Sequence, residues 1–143
     1  MKNYFDLKGR TALVTGASSG LGVQFAKALA NQGADVAIAA RRVDRLEQVK
    51  QEIEAMGVRC IAVSCDVTDS EQIAAMVKTV KETFGRIDIL VNNAGVGKLI
   101  PAETQTDEEW HSTTRINFDA VYYVAREVGK VMIEQNYGKI INL

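Results

Sequence analysis

One stretch constrains the fold of this chain more than any other, an apolar run that leads directly into a glycine-rich turn. Residues 12–22 read ALVTGASSGLG, and Gly16, Gly20 and Gly22 follow the apolar part. Gly16 allows a tight turn, whereas Gly20 and Gly22 let backbone N–H groups approach an anion without an intervening Cβ atom. A helix that begins there adds unpaired amides and the positive end of its dipole. The pattern predicts a strand, a phosphate-binding turn and a helix, with an ordinary strand-to-helix turn as the alternative.

Short apolar runs alternate with amphipathic helical segments along the whole chain. The predicted strands lie near residues 11–15, 35–40, 59–64, 87–91 and 139–143. Most of them are apolar throughout, which is typical of strands that helices cover on both faces. The alternation predicts an α/β fold, in which helical crossovers connect the strands of a parallel sheet. No shift of composition marks a boundary, so we predict a single domain over residues 1–143.

Two capping-box patterns mark predicted helix starts. Thr68 is followed by Glu71, and Thr106 is followed by Glu109. The second pattern opens a long predicted helix that carries apolar residues around more of its circumference than one sheet face requires. We therefore expect this helix to pack against another helix or another subunit.

The composition excludes several classes of protein. With 143 residues, 47% hydrophobic and 24% charged, and a net charge of −1, the chain is expected to form a soluble globular domain. A nucleic-acid binder would normally carry an excess of Lys and Arg. Residues 1–6 lack the apolar core of a signal peptide, and no segment is long enough to span a bilayer, so we predict a cytoplasmic protein. No metal site is predicted.

The two cysteines are predicted to be reduced. Cys60 and Cys65 lie in or beside one predicted strand, and their odd spacing places them on opposite faces of the sheet. A disulfide between them is therefore not expected, and buried thiols are the favoured interpretation.

The end of the second predicted strand indicates which nicotinamide cofactor would fit. In dinucleotide-binding folds an acidic residue at this point binds the ribose 2′-hydroxyl. Here Ala40 is uncharged, and Arg41 and Arg42 follow it. Cations at a helix start are unfavourable against the helix dipole unless an anion lies between them, and a 2′-phosphate would supply that anion. NADP is therefore preferred over NAD, and the alternative is a solvated helix start with Asp44 and Glu47 as local partners.

Small and polar residues follow the third and fourth predicted strands, at the edge where open α/β sheets bind ligands. Asp66 follows the third strand and would either accept a hydrogen bond from an adenine amino group or cap the next helix. Residues 92–95 read NNAG and would let a planar ring and a ribose pack against the backbone. The alternative for these four residues is an ordinary turn.

Taken together, these motifs resemble the short-chain dehydrogenase/reductase family over residues 5–143. The resemblance rests on TGASSGLG at 15–22, Asp66 and Val67, NNAG at 92–95, and Asn117, all in the family's order. It implies a Rossmann-type doubly wound parallel sheet in three α/β/α layers. Within the family, residues 5–10 are similar to the opening of gluconate 5-dehydrogenase, hydroxysteroid dehydrogenase and 3-oxoacyl reductase members.

The resemblance also implies roles for particular residues. The pyrophosphate would lie over the glycine turn, the adenine beside Asp66, and the nicotinamide near residues 93–95. The cofactor-binding residues so implied, together with the arginine pair, are Gly16, Ser18, Ser19, Gly20, Leu21, Gly22, Arg41, Arg42, Asp66, Val67, Asn93, Ala94 and Gly95. Asn117 matches the catalytic asparagine of the family, which holds a water in a proton relay. From the residue alone, an amide bonded to a neighbouring backbone group is the alternative.

The implied activity is reversible hydride transfer between NADP(H) and a carbonyl or secondary alcohol, in a homodimer or homotetramer. The serine and the Tyr-x-x-x-Lys pair of the family should follow the fifth strand, in which this sequence stops at Leu143. We therefore expect the natural polypeptide to continue for about 100 residues, since open α/β domains often exceed roughly 200. On this view the present chain alone would be inactive. The alternative is a dinucleotide-binding fragment or module without catalysis.

Overall fold

The computed structural model describes residues 4–143, which contain a five-stranded parallel sheet. The strands are β1 (Thr11–Thr15), β2 (Asp35–Ala40), β3 (Cys60–Ser64), β4 (Ile89–Asn92) and β5 (Lys139–Asn142). Their spatial order is β3-β2-β1-β4-β5, and all four neighbouring pairs are parallel. This order confirms the Rossmann-type fold. The signal-peptide prediction for residues 1–6 lies partly outside the described residues.

Helices cover both faces of the sheet and form the outer two layers. They are α1 (Gly20–Asn31), α2 (Val43–Glu54), α3 (Ser70–Phe84), α4 (Asp107–Thr114) and α5 (Ala120–Glu134), with a π-helical turn at Arg115–Asp119. Helices α1 and α2 pack on one face, and α3 and α5 pack on the other. Among residues 4–143, no helix combines the length and the apolar character that crossing a lipid bilayer requires.

Alternate residues of each strand contribute to two separate hydrophobic clusters. Leu13 and Leu90 are fully buried beneath α3 and α5, whereas the neighbouring Val14 and Ile38 are fully buried beneath α1 and α2. Because successive side chains of a strand point to opposite faces, an apolar run of this kind fills both clusters at once. The predicted coverage of the strands on both faces is therefore confirmed for the central strands of the sheet.

The cysteines lie in different clusters, as their spacing predicted. Cys60 belongs to the cluster under α1 and α2, and Cys65 belongs to the cluster under α3 and α5. Both are free and buried. Burial raises the pKa of Cys60 to about 12 and the pKa of Cys65 to about 11, because a thiolate loses its hydration there. Both side chains thus remain protonated thiols at neutral pH.

The predicted capping box at Thr68 and Glu71 is wrong. Helix α3 begins one residue later, at Ser70, and Asp69 caps it by accepting hydrogen bonds from the backbone N–H groups of Glu71 (2.9 Å) and Gln72 (3.2 Å). The hydroxyl of Thr68 instead donates to a carboxylate oxygen that precedes it by two residues. Thr68 therefore does not cap α3, because its hydroxyl is bonded to the Asp66 carboxylate.

The long helix predicted after Thr106 is present but is interrupted. The predicted capping box is confirmed, because the Thr106 hydroxyl accepts from Glu109 N–H (3.2 Å) and the Glu109 carboxylate accepts from Thr106 N–H (2.9 Å). Hydroxyls of residues 112–114 then donate back to carbonyls three or four residues earlier. Such bonds weaken and bend a helix, and the π-helical turn follows directly.

Strand β5 forms one edge of the described sheet. Its Ile140 and Ile141 side chains are 40% and 49% exposed, although a strand of this composition is usually interior. Long apolar edge strands are a hazard for aggregation.

Candidate functional site

An open cleft of about 180 Å³ lies where the carboxyl ends of the central strands meet. Nine of the predicted cofactor residues line it: Gly16, Ser18, Ser19, Arg41, Arg42, Asp66, Val67, Ala94 and Gly95. Five further residues line it that were not predicted, namely Ala39, Ala40, Cys65, Val96 and Ile116. The remaining predicted residues lie outside this lining, namely Gly20, Leu21, Gly22, Asn93 and Asn117. Of these, Gly22 and Asn93 lie against Gly16, and Asn117 bonds Val96.

The glycine turn has the close backbone contacts that its sequence predicted. Gly16 has φ +65°, a conformation that other residues rarely adopt. A Cβ atom on Gly22 would collide with the carbonyl oxygen of Gly16 and would lie 2.7 Å from Asn93 Nδ2. The first turn of α1 can therefore lie against the end of β1 only because residue 22 has no side chain.

The N-terminus of α1 differs electrostatically from those of α3 and α4. Its N-cap residue Ser19 makes no side-chain capping bond, and its first turn contains no acidic residue. By contrast, α3 is capped by Asp69, and α4 has a capping box and three acidic residues in its first turn. Unpaired N–H groups and an uncompensated dipole favour an anion at the start of α1.

A reciprocal pair of contacts connects the ends of β1 and β4. The buried Thr15 Oγ1 accepts from the backbone N–H groups of Asn93 and Ala94, both at 3.1 Å. In return, Asn93 Nδ2 donates to the carbonyl oxygens of Thr15 (3.1 Å) and Gly16 (3.2 Å). The Asn93 side chain therefore supports the glycine turn from below. Sequence reasoning did not assign Thr15 a role, although a hydroxyl at the end of an apolar strand was a visible signal.

The two arginines after β2 are exposed. Neither Arg41 nor Arg42 forms a salt bridge with another residue of the described range 4–143. Of the local partners considered in the alternative interpretation, Glu47 pairs with Lys50 at 3.8 Å, and Asp44 forms no salt bridge within that range. Two guanidinium groups thus line the cleft without a salt-bridge partner among the described residues.

Asp66 follows β3, lines the same cleft and is ionised at neutral pH. Its Oδ1 accepts from the N–H (2.9 Å) and the hydroxyl (2.8 Å) of Thr68, and these bonds lower the pKa of its carboxyl. Burial opposes this effect, and the nearby Arg41 adds to it. Asp69 rather than Asp66 caps α3, so the capping alternative for Asp66 is wrong. Within residues 4–143, Oδ2 accepts no hydrogen bond.

Asn117 lies in the π-helical turn and holds the segment that follows β4. Its Oδ1 accepts from Val96 N–H at 2.9 Å, and its Nδ2 donates to the Val96 carbonyl at 2.8 Å. The amide thus bonds a backbone group, as the alternative interpretation proposed, but that group lies on a distant segment. The preceding residue, Ile116, lines the cleft. Nothing in the helical spacing of the sequence distinguished Ile116 from a core residue.

Among residues 4–143, no group of three or more His, Cys, Asp or Glu side chains is arranged to hold a metal ion. The lining of the cleft instead combines backbone amides, hydroxyls and guanidinium groups with small residues. Such a set of donors suits phosphate groups rather than a cation.

Comparisons with known proteins agree with this geometry. The family model described as short chain dehydrogenase matches residues 10–143. Gluconate 5-dehydrogenase of Gluconobacter oxydans (strain 621H) is 37% identical over 141 residues, which cover 99% of this chain and 55% of that protein. The chain spans about half the length of the curated relatives it matches.

Solved structures with the same fold include complexes with either cofactor. A metagenomic short-chain oxidoreductase in complex with NADP has a TM-score of 0.90 and 40% identity, covering 96% of this chain and 62% of that one. NAD⁺-bound xylitol dehydrogenase has a TM-score of 0.92 and 34% identity, covering 95% of this chain and 53% of that one. Similarity of fold alone therefore does not decide between the two cofactors.

Proposed function

The chain belongs to the short-chain dehydrogenase family, and from this membership we propose that it forms the cofactor-binding part of an NADP(H)-dependent oxidoreductase. The reaction would be reversible hydride transfer between the nicotinamide and a carbonyl or secondary alcohol. One observation carries the choice of cofactor, because Arg41 and Arg42 line the same cleft as the glycine turn and have no carboxylate partner among residues 4–143.

Different residues of the cleft would hold different parts of this cofactor. The first turn of α1 with Ser18 and Ser19 would hold the pyrophosphate, since its amides and dipole are otherwise unopposed. The planar guanidinium groups of Arg41 and Arg42 would bind the 2′-phosphate through charge-assisted hydrogen bonds. The free Oδ2 of Asp66 would accept from the adenine amino group. The nicotinamide, near residues 93–95, supplies the hydride when it is bound.

Asn117 is proposed as the residue that matches the catalytic asparagine of the family. Val96 engages one hydrogen of its Nδ2 and one lone pair of its Oδ1. An amide has a second hydrogen and a second lone pair, so the side chain retains one donor and one acceptor for a water. The clamp on Val96 would also hold the segment after β4 beside the cleft.

The preference for NADP predicts a selective effect of removing Arg41. We expect the Arg41→Ala variant to lose about tenfold or more of its affinity for NADPH, because hydrogen bonds to charged groups contribute roughly 1.5–3 kcal/mol. Its affinity for NADH should change little, since NADH lacks the 2′-phosphate. Fluorescence titration of both reduced cofactors measures the two affinities.

Arg45→Ala is the matched control for this experiment. Arg45 lies one turn further along α2 and does not line the cleft. Arg45→Ala removes the same charge four residues further along the chain and should leave the ratio of the two affinities unchanged. Equal affinity of the wild type for NADH and NADPH, or an unselective loss in Arg41→Ala, would contradict the proposed preference.

The proposal of catalysis is tested by the sequence and activity of the natural polypeptide. We expect a serine and a Tyr-x-x-x-Lys pair after Leu143, and NADPH-dependent turnover of a carbonyl substrate. In this family the tyrosine would act as the general acid. The rival function is a nucleotide-binding module, which would bind NADPH without turning over any carbonyl compound. Absence of those residues favours that module.

We further propose that the protein forms a homo-oligomer through its longest helical segment. Helix α4, the π-helical turn and α5 carry exposed aromatic and aliphatic side chains, namely Trp110, Phe118, Tyr122 and Ile133. Side chains of this kind form the centre of many subunit interfaces. This is consistent with the sequence prediction that the long helix packs against another helix or subunit.

A further inference from the structure

Two side-chain amides connect the cleft edge of the sheet to helix α5. Asn92 at the end of β4 is aligned with Asn142 at the end of β5, and the Asn92 side chain is buried. Asn92 Nδ2 donates one hydrogen to Asn142 Oδ1 (3.1 Å) and the other to the carbonyl oxygen of Val121 (3.0 Å). We call these three linked groups the amide relay. A single NH₂ group thus holds β5 and α5 together through β4.

The two amides each follow an apolar pair of residues at the end of a strand. Leu90 and Val91 precede Asn92, and Ile140 and Ile141 precede Asn142. A buried amide loses its hydration, and its hydrogen bonds only compensate for that loss. The relay does, however, require one alignment of the strands, since a shift of one residue would move Asn142 to the other face of the sheet. The relay therefore defines the position of β5 relative to β4 rather than adding net stability to the fold.

Both ends of the relay lie near the proposed reaction site. Val121 belongs to the first turn of α5, which directly follows the π-helical turn that carries Asn117. Asn142 is the last residue of β5, at the edge of the sheet where ligands of open α/β folds bind. The relay therefore fixes the carboxyl end of β5 relative to the turn that carries Asn117.

We propose that Asn142 is a positioning residue that holds the carboxyl end of β5 in register with Asn117 through the amide relay. This inference rests on the proposed function, because it concerns the alignment of reacting groups. The effect would be specific to the chemical step, since no residue of β5 lines the cofactor cleft. It would also depend on the oxygen of the Asn142 side chain alone, because that atom accepts the relay hydrogen bond.

Two substitutions of similar size separate this role from a general structural one. In the full-length natural protein, Asn142→Leu removes the acceptor and Asn142→Asp keeps it. We expect Asn142→Leu to lower kcat by about tenfold or more, since small misplacements of reacting groups have effects of this order or larger. The Kd for NADPH should remain near its wild-type value, whereas the urea midpoint should fall, because a hydrogen of the buried Asn92 amide loses its acceptor. Asn142→Asp should retain most of the wild-type kcat.

Lys139→Ala provides the control within the same strand. Lys139 is at the opposite end of β5 and outside the relay, so kcat should not change. Wild-type kcat in Asn142→Leu would overturn the inference, as would a loss of kcat that Asn142→Asp shares. If Asn142→Leu does not fold, Asn142→Ala replaces it with the same expected results. No turnover in the wild type would overturn the proposed function and this inference together, whereas turnover that is insensitive to Asn142→Leu overturns this inference alone.

Discussion

We expect the Gly22→Ala variant to lose most of its affinity for NADPH and to unfold at a lower urea concentration than the wild type. The added Cβ would collide with Gly16 O and would lie 2.7 Å from Asn93 Nδ2 and 2.9 Å from Ala17 Cα. Two of these neighbours are backbone atoms, so the turn itself must move. Overpacking of this kind costs about 1–3 kcal/mol. The same movement would displace the amides that are proposed to hold the pyrophosphate, so affinity should fall by about tenfold or more.

Gly129→Ala is the matched control, and its effect on stability should be opposite to that of Gly22→Ala. Gly129 is also a helical glycine, in α5, but a Cβ there would meet no heavy atom within 4 Å. Alanine is better than glycine in a helix by about 0.5–1 kcal/mol, so this variant should be slightly more stable. Urea denaturation and NADPH titration of both variants make the comparison. If Gly22→Ala matched Gly129→Ala in both measurements, the glycine turn would be an ordinary strand-to-helix connection.

The sequence predicted the strands and the order of the elements well, because these follow from local patterns. Each strand is a short apolar run, and strong local signals such as the glycine turn bound several of them. The differences are small: β4 begins at Ile89 instead of residue 87, and β3 begins at Cys60 instead of residue 59. Nine of the predicted cofactor residues also line one cleft, because the carboxyl ends of parallel strands meet at one edge of the sheet.

The features that sequence reasoning missed depend on contacts between distant segments. The π-helical turn coincides with the clamp between Asn117 and Val96, which no helical spacing reveals. The role of Thr15 depends on amides that are 78 and 79 residues away along the chain. The wrong capping box had a local cause, since Thr68 bonds to Asp66 instead of capping α3. Local competition of this kind is hard to predict when several acceptors lie within a few residues.

A second large effect is expected at Asp88, at the opposite edge of the sheet from the cleft. Its side chain is fully buried and both of its oxygens are engaged. Oδ1 accepts from Arg10 Nη1 (3.1 Å) and Arg86 Nη2 (2.6 Å), and Oδ2 accepts from Arg86 Nε (2.6 Å) and Thr11 N–H (2.9 Å). This carboxylate joins the segments that enter β1 and β4. Sequence reasoning gave it no role, because two of its partners are far away in the chain.

We expect Asp88→Asn to lower the free energy of unfolding by about 2–3 kcal/mol, since hydrogen bonds to charged groups contribute roughly 1.5–3 kcal/mol and the partner arginines are partly exposed. The amide keeps the shape of the side chain but places an NH₂ group against donors. Glu82→Gln is the matched control, because it makes the same chemical change in an exposed pair with Lys78 at 3.8 Å. That change should cost less than about 0.5 kcal/mol. Urea denaturation at neutral pH measures both values.

The pH dependence of the stability difference between wild type and Asp88→Asn tests whether the charge of Asp88 causes that difference. Burial by itself would raise the pKa of Asp88, but hydrogen bonds from Arg86 and Thr11 outweigh burial and leave the pKa lowered. A carboxyl whose pKa is lower in the folded state stabilises the fold above its unfolded pKa, about 3.9, and loses this contribution as the pH falls through the folded value. The stability difference between wild type and Asp88→Asn should therefore shrink as the pH falls below about 4. Other carboxyls with lowered pKa values, such as Asp69 and Glu127, are present in both proteins and cancel in the comparison. A difference that stayed constant with pH would mean that the variant acts through its shape and not through the lost charge.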